Sequence, residues 1–197
     1  QTSPESPQLA GSAFYALALD PSDPNKVIAA TKEGLYRRES NGVGGFHWVK
    51  KKVGSDKLFS SIVAAHNEGL TTFYAAKYSG PIYISNDGQT WSAIGTGFPL
   101  NVRRISLAIQ PNNPSVVYAL TESNEVWRLD IVTGSSNKWR KINGSPKDLL
   151  GNQGWYDIAI AVDPNDVNIL YLGGSTKESQ GEWSGSLYRS VVKAKGA

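Results

Sequence analysis

Four segments of the 197-residue chain repeat one pattern, and that repeat restricts the fold more than any single motif. The segments open at Phe14, Phe59, Arg103 and Trp155, so the first three starts lie about 45 residues apart and the fourth follows a longer gap. Each begins with a short apolar run: Ala16 to Leu19, Ile62 to Ala65, Ile105 to Ile109, Ile158 to Val162. A polar turn follows, as in Asp20-Pro21-Ser22-Asp23-Pro24-Asn25 or Asp163-Pro164-Asn165-Asp166. Proline presets φ there, and Asp or Asn caps the turn through its own side chain. A second apolar run comes next: Val27 to Ala30, Phe73 to Ala76, Val116 to Leu120, Ile169 to Leu172. An alternating third run follows, such as Gly34-Leu35-Tyr36-Arg37 or Ser186-Leu187-Tyr188-Arg189. Three copies add a fourth run at Trp48, Trp91 and Trp139.

Runs this short, punctuated by Gly, Pro, Asn and Asp, are strands, and no helical periodicity competes with them. Four strands per unit, at that period, is the signature of a propeller blade. The expected fold is therefore all-β, a β-propeller of four-stranded antiparallel blades. The chain supplies a leader over residues 1–12 and blades over 13–54, 58–98, 102–145 and 154–197. The last blade lacks its outer strand, because only Val191-Val192-Lys193-Ala194-Lys195-Gly196-Ala197 follows Ser190. An unclosed ring leaves apolar faces and unpaired edges. The expectation is part of a larger propeller, completed by a second chain or a further segment, with a small closed ring of four blades as the competing reading.

The stretch Ser85-Asn86-Asp87-Gly88-Gln89-Thr90-Trp91 carries a resemblance. It is similar to the Ser-x-Asp-x-Gly-x-Thr-Trp turn of the Asp-box, or BNR-repeat, β-propellers, one residue short. That superfamily includes sialidase-like and xyloglucanase-like glycoside hydrolases and sortilin-like propellers. The first repeat keeps Ser40, Gly45 and Trp48 without the aspartate, and the third is looser. The resemblance implies that Ser85, Asp87, Gly88, Thr90 and Trp91 join the third and fourth strands on the face away from any ligand. The residue chemistry agrees: Asp87 can accept backbone N–H groups, Gly88 can take positive φ, and Trp91 can fill a gap between blades.

Ligands of propellers sit near the axis, among blade starts and the loops between second and third strands. Here those regions hold Tyr78, Arg104, Trp155, Tyr156, Asp157 and a long polar stretch from Ser175 to Gly185 with Glu178, Glu182 and Trp183. Long connections on a rigid scaffold often carry function, and this one is expected to be a loop. Trp155, Tyr156, Asp157, Trp183, Arg104 and Tyr78 make an aromatic, mixed-charge set suited to stacking sugar rings and bonding hydroxyls. Solvated glutamates over packed aromatics are the plainer alternative. Hydrolysis of a glycoside needs two carboxylates, and Asp157 with Glu182 or Glu178 is the available pair. The sialidase start motif and three-arginine cluster are missing, and Glu33 and Glu39 stand where a xyloglucanase-like aspartate belongs. The leading expectation is thus a non-catalytic module binding a glycan or a protein. The alternative is the N-terminal part of a glycoside hydrolase.

Other chemistries find little support. Cysteine and methionine are absent, and His47 and His66 lie on different strands, so no cofactor and no metal site is expected. The turn aspartates Asp20, Asp23, Asp163 and Asp166 read as caps rather than calcium ligands. A formal charge of +3 with scattered Lys and Arg gives no nucleic-acid footprint. Lys50 to Lys52 read as solvated guards of a strand edge. No apolar run approaches transmembrane length, so no membrane insertion is expected. The polar, proline-rich leader suits the start of a secreted, periplasmic or cell-surface protein and equally a linker.

Overall fold

The protein is described by a computed structural model covering residues 9–55, 58–179 and 181–193, with backbone alone at 177–179. The described strands form three four-stranded sheets and one three-stranded sheet, all antiparallel meanders. The first blade is β1 (Phe14–Asp20), β2 (Asp23–Thr31), β3 (Gly34–Ser40) and β4 (Phe46–Lys51). The second is β5 (Phe59–Asn67), β6 (Leu70–Lys77), β7 (Ile82–Ser85) and β8 (Ser92–Ala93). The third is β9 (Ile105–Gln110), β10 (Asn113–Thr121), β11 (Val126–Asp130) and β12 (Arg140–Ile142). Among the described residues the fourth has β13 (Ala159–Val162), β14 (Ile169–Ser179) and β15 (Glu182–Val191). Trp91 and Trp139 stand just ahead of the short outer strands β8 and β12, whereas Trp48 lies inside β4.

The blades pack face to face in chain order, which explains why their inner strands are apolar on both sides. One core cluster lies between blades one and two (Ile28, Leu35, Phe59, Phe73). A second joins blades two and three around Tyr74, Val117, Leu129 and Trp139. A third joins blades three and four around Tyr118, Leu120, Leu149 and Leu170. The innermost strands β1, β5, β9 and β13 line one open cleft of about 510 Å³. Polar groups fix the register between blades. Ser60 Oγ donates to Ile105 O at 2.9 Å, and Leu107 N–H donates to Ser61 Oγ at 3.0 Å. Thr71 Oγ1 donates to Asp20 Oδ1 at 2.5 Å.

Two differences from the sequence reading follow from local chemistry. The stretch 175–185 is not a loop: β14 and β15 continue as a hairpin, pairing Thr176 with Gly185 and Ser179 with Glu182 after a bulge at Gly173/Thr176. Gly181, at φ 83°, serves the hairpin end. Its Gly, Ser and Glu content hides the strand pattern, because residues 182–185 stay exposed. Lys51 is not a solvated edge guard either. It is buried and ion-paired with Glu39, and it also donates to Gln89 Oε1 at 2.5 Å.

That pairing ties blade one to blade two. Glu39 also accepts from Arg37 Nη1 and Gln89 Nε2, each at 3.0 Å. Burial opposes the Glu39 charge, but the bonds from Lys51, Gln89 and Arg37 outweigh it and hold the carboxyl at about 2 against its ordinary 4.5. A folded value below the unfolded one stabilises the fold above the unfolded value and is lost as pH falls through the folded one. Glu39→Gln is therefore expected to flatten the loss of stability between pH 4.5 and pH 2. Urea unfolding midpoints across that window measure it, and an unchanged slope contradicts it.

The turn at 85–91 closes on itself. Ser85 Oγ donates to Asp87 Oδ1 at 2.9 Å and accepts the Gly88 N–H at 2.8 Å. Asp87 Oδ1 accepts the N–H groups of Gln89 and Thr90 at 2.7 and 2.8 Å. Burial opposes the Asp87 charge, but these bonds, led by Thr90 N–H, together overcome it and lower its pKa. Gly88 has φ 69°, and a Cβ there would stand 2.7 Å from Ile28 Cδ1 of the neighbouring blade. Trp91 packs against the cluster between blades one and two. Asp87 Oδ1 is thus engaged in holding the turn together.

Candidate ligand-binding face

Blade starts and the turns between second and third strands lie at one end of the blades. The connector from blade three to blade four, residues 143–158, crosses this end. It is anchored from below by Leu149 and Leu150, both fully buried. Two glycines allow its backbone to touch the sheets. A Cβ on Gly154 would sit 2.2 Å from Glu122 O, and one on Gly174 would sit 2.0 Å from Leu149 O. Gln153 then caps the tip: its carbonyl accepts the N–H groups of Tyr156 at 3.0 Å and Asp157 at 2.8 Å. Its side-chain oxygen accepts the Ser175 hydroxyl.

The connector presents Trp155 and Tyr156 to solvent, 63% and 42% exposed, with rings edge to face at 4.2 Å between centroids. Arg104 Nη1 donates to Trp155 O at 2.8 Å, and its guanidinium lies 5.9 Å from the Tyr15 ring. Beside them Arg103 Nε donates to Glu122 Oε1 at 2.9 Å, while Glu122 Oε2 is buried with no partner among the described residues. The structure therefore brings together Arg104, Trp155 and Tyr156, and adds Tyr15 and Glu122, which the sequence reading did not choose as site residues. Their signal was position alone: Tyr15 is the second residue of the first repeat and Glu122 follows the second strand of the third.

The other candidates differ in their surroundings: Tyr78 lies within electrostatic reach of Arg103, and Asp157 shares the Gln153 cap with Tyr156. Asp157 is half-buried, and its carboxylate makes no hydrogen bond among the described residues. Trp183 is 69% exposed on the β14–β15 hairpin, opposite Glu178 in register, and makes no ring contact with Trp155 or Tyr156. Glu182 is exposed at the start of β15. The side chain of Glu178 lies outside the described residues. Tyr78 is half-buried, with its N–H donated to Leu58 O at 2.9 Å. Among the described residues no three metal-ligating side chains cluster. Asp20 and Asp163 each use Oδ1 on the turn that follows, accepting Ser22 and Asn165 N–H at 2.9 Å.

A pair of rigid exposed rings beside one cation can stack a flat, hydroxyl-rich ligand and bond its oxygens. Fold and site together define a β-propeller with a solvent-facing aromatic surface at one end of its blades. No family model and no curated protein matches the sequence. Solved structures do. A GH74 enzyme of Niastella koreensis aligns with TM-score 0.57 and 23% identity over 89% of this chain and 27% of its own. An ancestral GH74 enzyme aligns with TM-score 0.55 and 19% identity over 81% of this chain and 22% of its own. The β-propeller domain of Myceliophteria thermophila Cps50 (Swd1) aligns with TM-score 0.55 and 12% identity over 81% and 48%. The chain spans about a quarter of the GH74 enzymes and about half of the Cps50 domain. The fold is that of a partial β-propeller.

Proposed function

We propose that the chain is a glycan-binding, non-catalytic part of a propeller protein working outside the cytoplasm. The observation that carries this reading is the Trp155–Tyr156 pair, exposed to solvent yet held rigid by Gly154, Gln153 and Arg104. Large aromatic rings kept in water on an ordered connector are a usual mark of a binding surface. Trp155→Ala is expected to weaken binding to a polysaccharide at least tenfold, an effect on the order of 1.4 kcal/mol, within the range of one stacked ring. Because the ring is mostly exposed, the unfolding midpoint is expected to stay put. Affinity electrophoresis over a panel of soluble polysaccharides reads the first, and thermal unfolding the second. Unchanged retardation of the variant on every polysaccharide that retards the parent sinks the reading.

A second reading is supported by the likeness to two GH74 enzymes: the chain is the N-terminal part of a glycoside hydrolase. Under it Asp157 or Glu182 supplies one of two carboxyl groups, and further blades supply the other. Reducing-end release from the same panel by the completed protein, abolished in Asp157→Ala or Glu182→Ala, would establish it. Binding without release favours the first reading.

A further inference from the structure

Asparagine followed by glycine is chemically labile in water, because glycine has no side chain to keep its nitrogen away from the asparagine amide. The sequence holds two such dipeptides, Asn41-Gly42 and Asn143-Gly144, and one Asp-Gly, Asp87-Gly88. Each lies in the turn that leaves a third or fourth strand. The backbone is alike at the three glycines, with φ of 78° at Gly42, 69° at Gly88 and 85° at Gly144. What separates the three is how firmly the reacting atoms are held.

Asn41 is tied down. Its Oδ1 accepts the N–H groups of Val43 at 3.0 Å and Gly45 at 2.9 Å, and the Gly42 N–H donates to Ser40 Oγ at 3.2 Å. Asp87 is held likewise, with the Gly88 N–H donated to Ser85 Oγ at 2.8 Å and Oδ1 bonded to the N–H groups of Gln89 and Thr90. Burial opposes its charge, but those bonds lower its pKa, and a carboxylate resists attack by nitrogen. Asn143 and Gly144 are both exposed, and a Cβ on Gly144 would meet nothing within 4 Å. Among the described residues neither the Asn143 amide nor the Gly144 N–H makes a hydrogen bond. Asn143 lines a cavity of about 320 Å³ with Asn124, Glu125, Lys141 and Lys147, and there Lys141 is ion-paired with Glu125. The chain is fixed again three residues on, where Asn124 Nδ2 donates to Pro146 O.

We propose that Asn143 is a site of spontaneous modification, ending as aspartate or isoaspartate beside Lys141 and Lys147. The Gly144 nitrogen attacks Asn143 Cγ and bonds to it. The side-chain nitrogen leaves as ammonia, carrying the proton that the Gly144 N–H gives up. The cyclic imide then takes up a water. Opening at the side-chain carbonyl gives aspartate; opening at the main-chain carbonyl gives isoaspartate, with a methylene added to the backbone. The balance is asparagine plus water to acid plus ammonia, so no enzyme or oxidant enters. The formal charge of the chain falls from +3 to +2. The new carboxylate competes with Glu125 for Lys141. The fold survives the change, because the turn is exposed and the connector is anchored again at Pro146.

Incubation of the folded chain in mildly alkaline buffer, followed by ion exchange and by peptide mass, tests this. Peptides holding Asn143 are expected to convert at least tenfold faster than peptides holding Asn41, with a matching loss of positive charge. In concentrated urea both dipeptides lose their surroundings, and the two rates are expected to converge. That convergence separates protection by the fold from the shared dipeptide chemistry. Asn143→Gln is expected to remove the charge loss, because the longer side chain closes its ring far more slowly, and to leave the unfolding midpoint in place. Equal rates at Asn41 and Asn143 in the folded chain overturn the proposal. So does an Asn143 that stays intact in the folded chain while it converts in urea. Undiminished charge loss in Asn143→Gln overturns the assignment to this residue.

Discussion

Trp139→Ala is expected to destabilise the protein by about 3–5 kcal/mol, a large share of the roughly 5–15 kcal/mol that holds a domain of this size together. Trp139 is 2% exposed, although it lies on the outermost part of its blade. Its ring closes the seam between the second and third blades. The indole N–H donates to Ile94 O at 3.1 Å, and the ring meets the Phe98 edge at 5.1 Å between centroids. Its backbone N–H donates to Thr96 O at 2.9 Å, while Thr96 N–H donates to Asn137 O at 3.0 Å. The segment leaving blade two is thereby stitched to blade three, with Thr96 and Lys138 bridged in parallel. Gly95 comes so close that a Cβ on it would stand 2.7 Å from the indole, so the seam cannot collapse to fill the hole that alanine leaves. Trp139→Phe keeps most of the buried area and loses the bond to Ile94, for which about 1 kcal/mol is expected. Urea unfolding of the three proteins at one pH measures the order. Equal midpoints for parent and Trp139→Ala would show that the seam contributes nothing.

Strand positions and blade order were legible because each blade buries both faces of its inner strands. That burial demands continuous apolar runs such as Val116 to Leu120, and the Asp-Pro and Gln-Pro turns mark where they reverse. The turn at 85–91 was legible for a related reason: Ser85, Asp87 and Gly88 are chosen by backbone geometry, which acts within the turn itself. The hairpin at 173–185 was not, since residues 182–185 stay exposed and need no apolar alternation. Lys51 was misread because its partner Glu39 is twelve residues away on the adjacent strand, and the second partner, Gln89, belongs to another blade. Of the candidate site, the exposed ring pair was visible as Trp155-Tyr156, but what makes it a site was not. Its anchors are Leu149 and Leu150 below and the Glu122 carbonyl beside Gly154, long-range contacts without a local signature. The signal available in the sequence was the Leu pair itself, two apolar residues in a stretch, 143–154, otherwise made of Asn, Gly, Ser, Pro, Lys, Asp and Gln.

Gly154→Ala is expected to act on fold and ligand together. The new methyl has no room: it would meet Glu122 O at 2.2 Å, and the Glu122 carbonyl carbon and Cα at 2.9 Å each. These are backbone atoms of a residue whose N–H is held by Arg104 O at 2.9 Å, on a strand end paired into the third blade, so they cannot swing aside as a side chain would. The connector must lift instead. Lifting strains the Gln153 cap over Tyr156 and Asp157 and pulls Trp155 O away from Arg104. A cost of about 1–3 kcal/mol is expected from the overpacking alone. Polysaccharide retardation is expected to fall at least as far as in Trp155→Ala, because both rings move. Gly185→Ala is the matched control, with nothing within 4 Å of its Cβ position and no left-handed backbone. It is expected to leave unfolding and binding unchanged. The comparison separates two roles that Trp155→Ala alone cannot: a ring that touches the ligand, and a backbone that aims it. If Gly154→Ala lowers the unfolding midpoint while binding by the folded protein persists, the rings are not positioned by the connector, and the binding surface lies elsewhere on the blades.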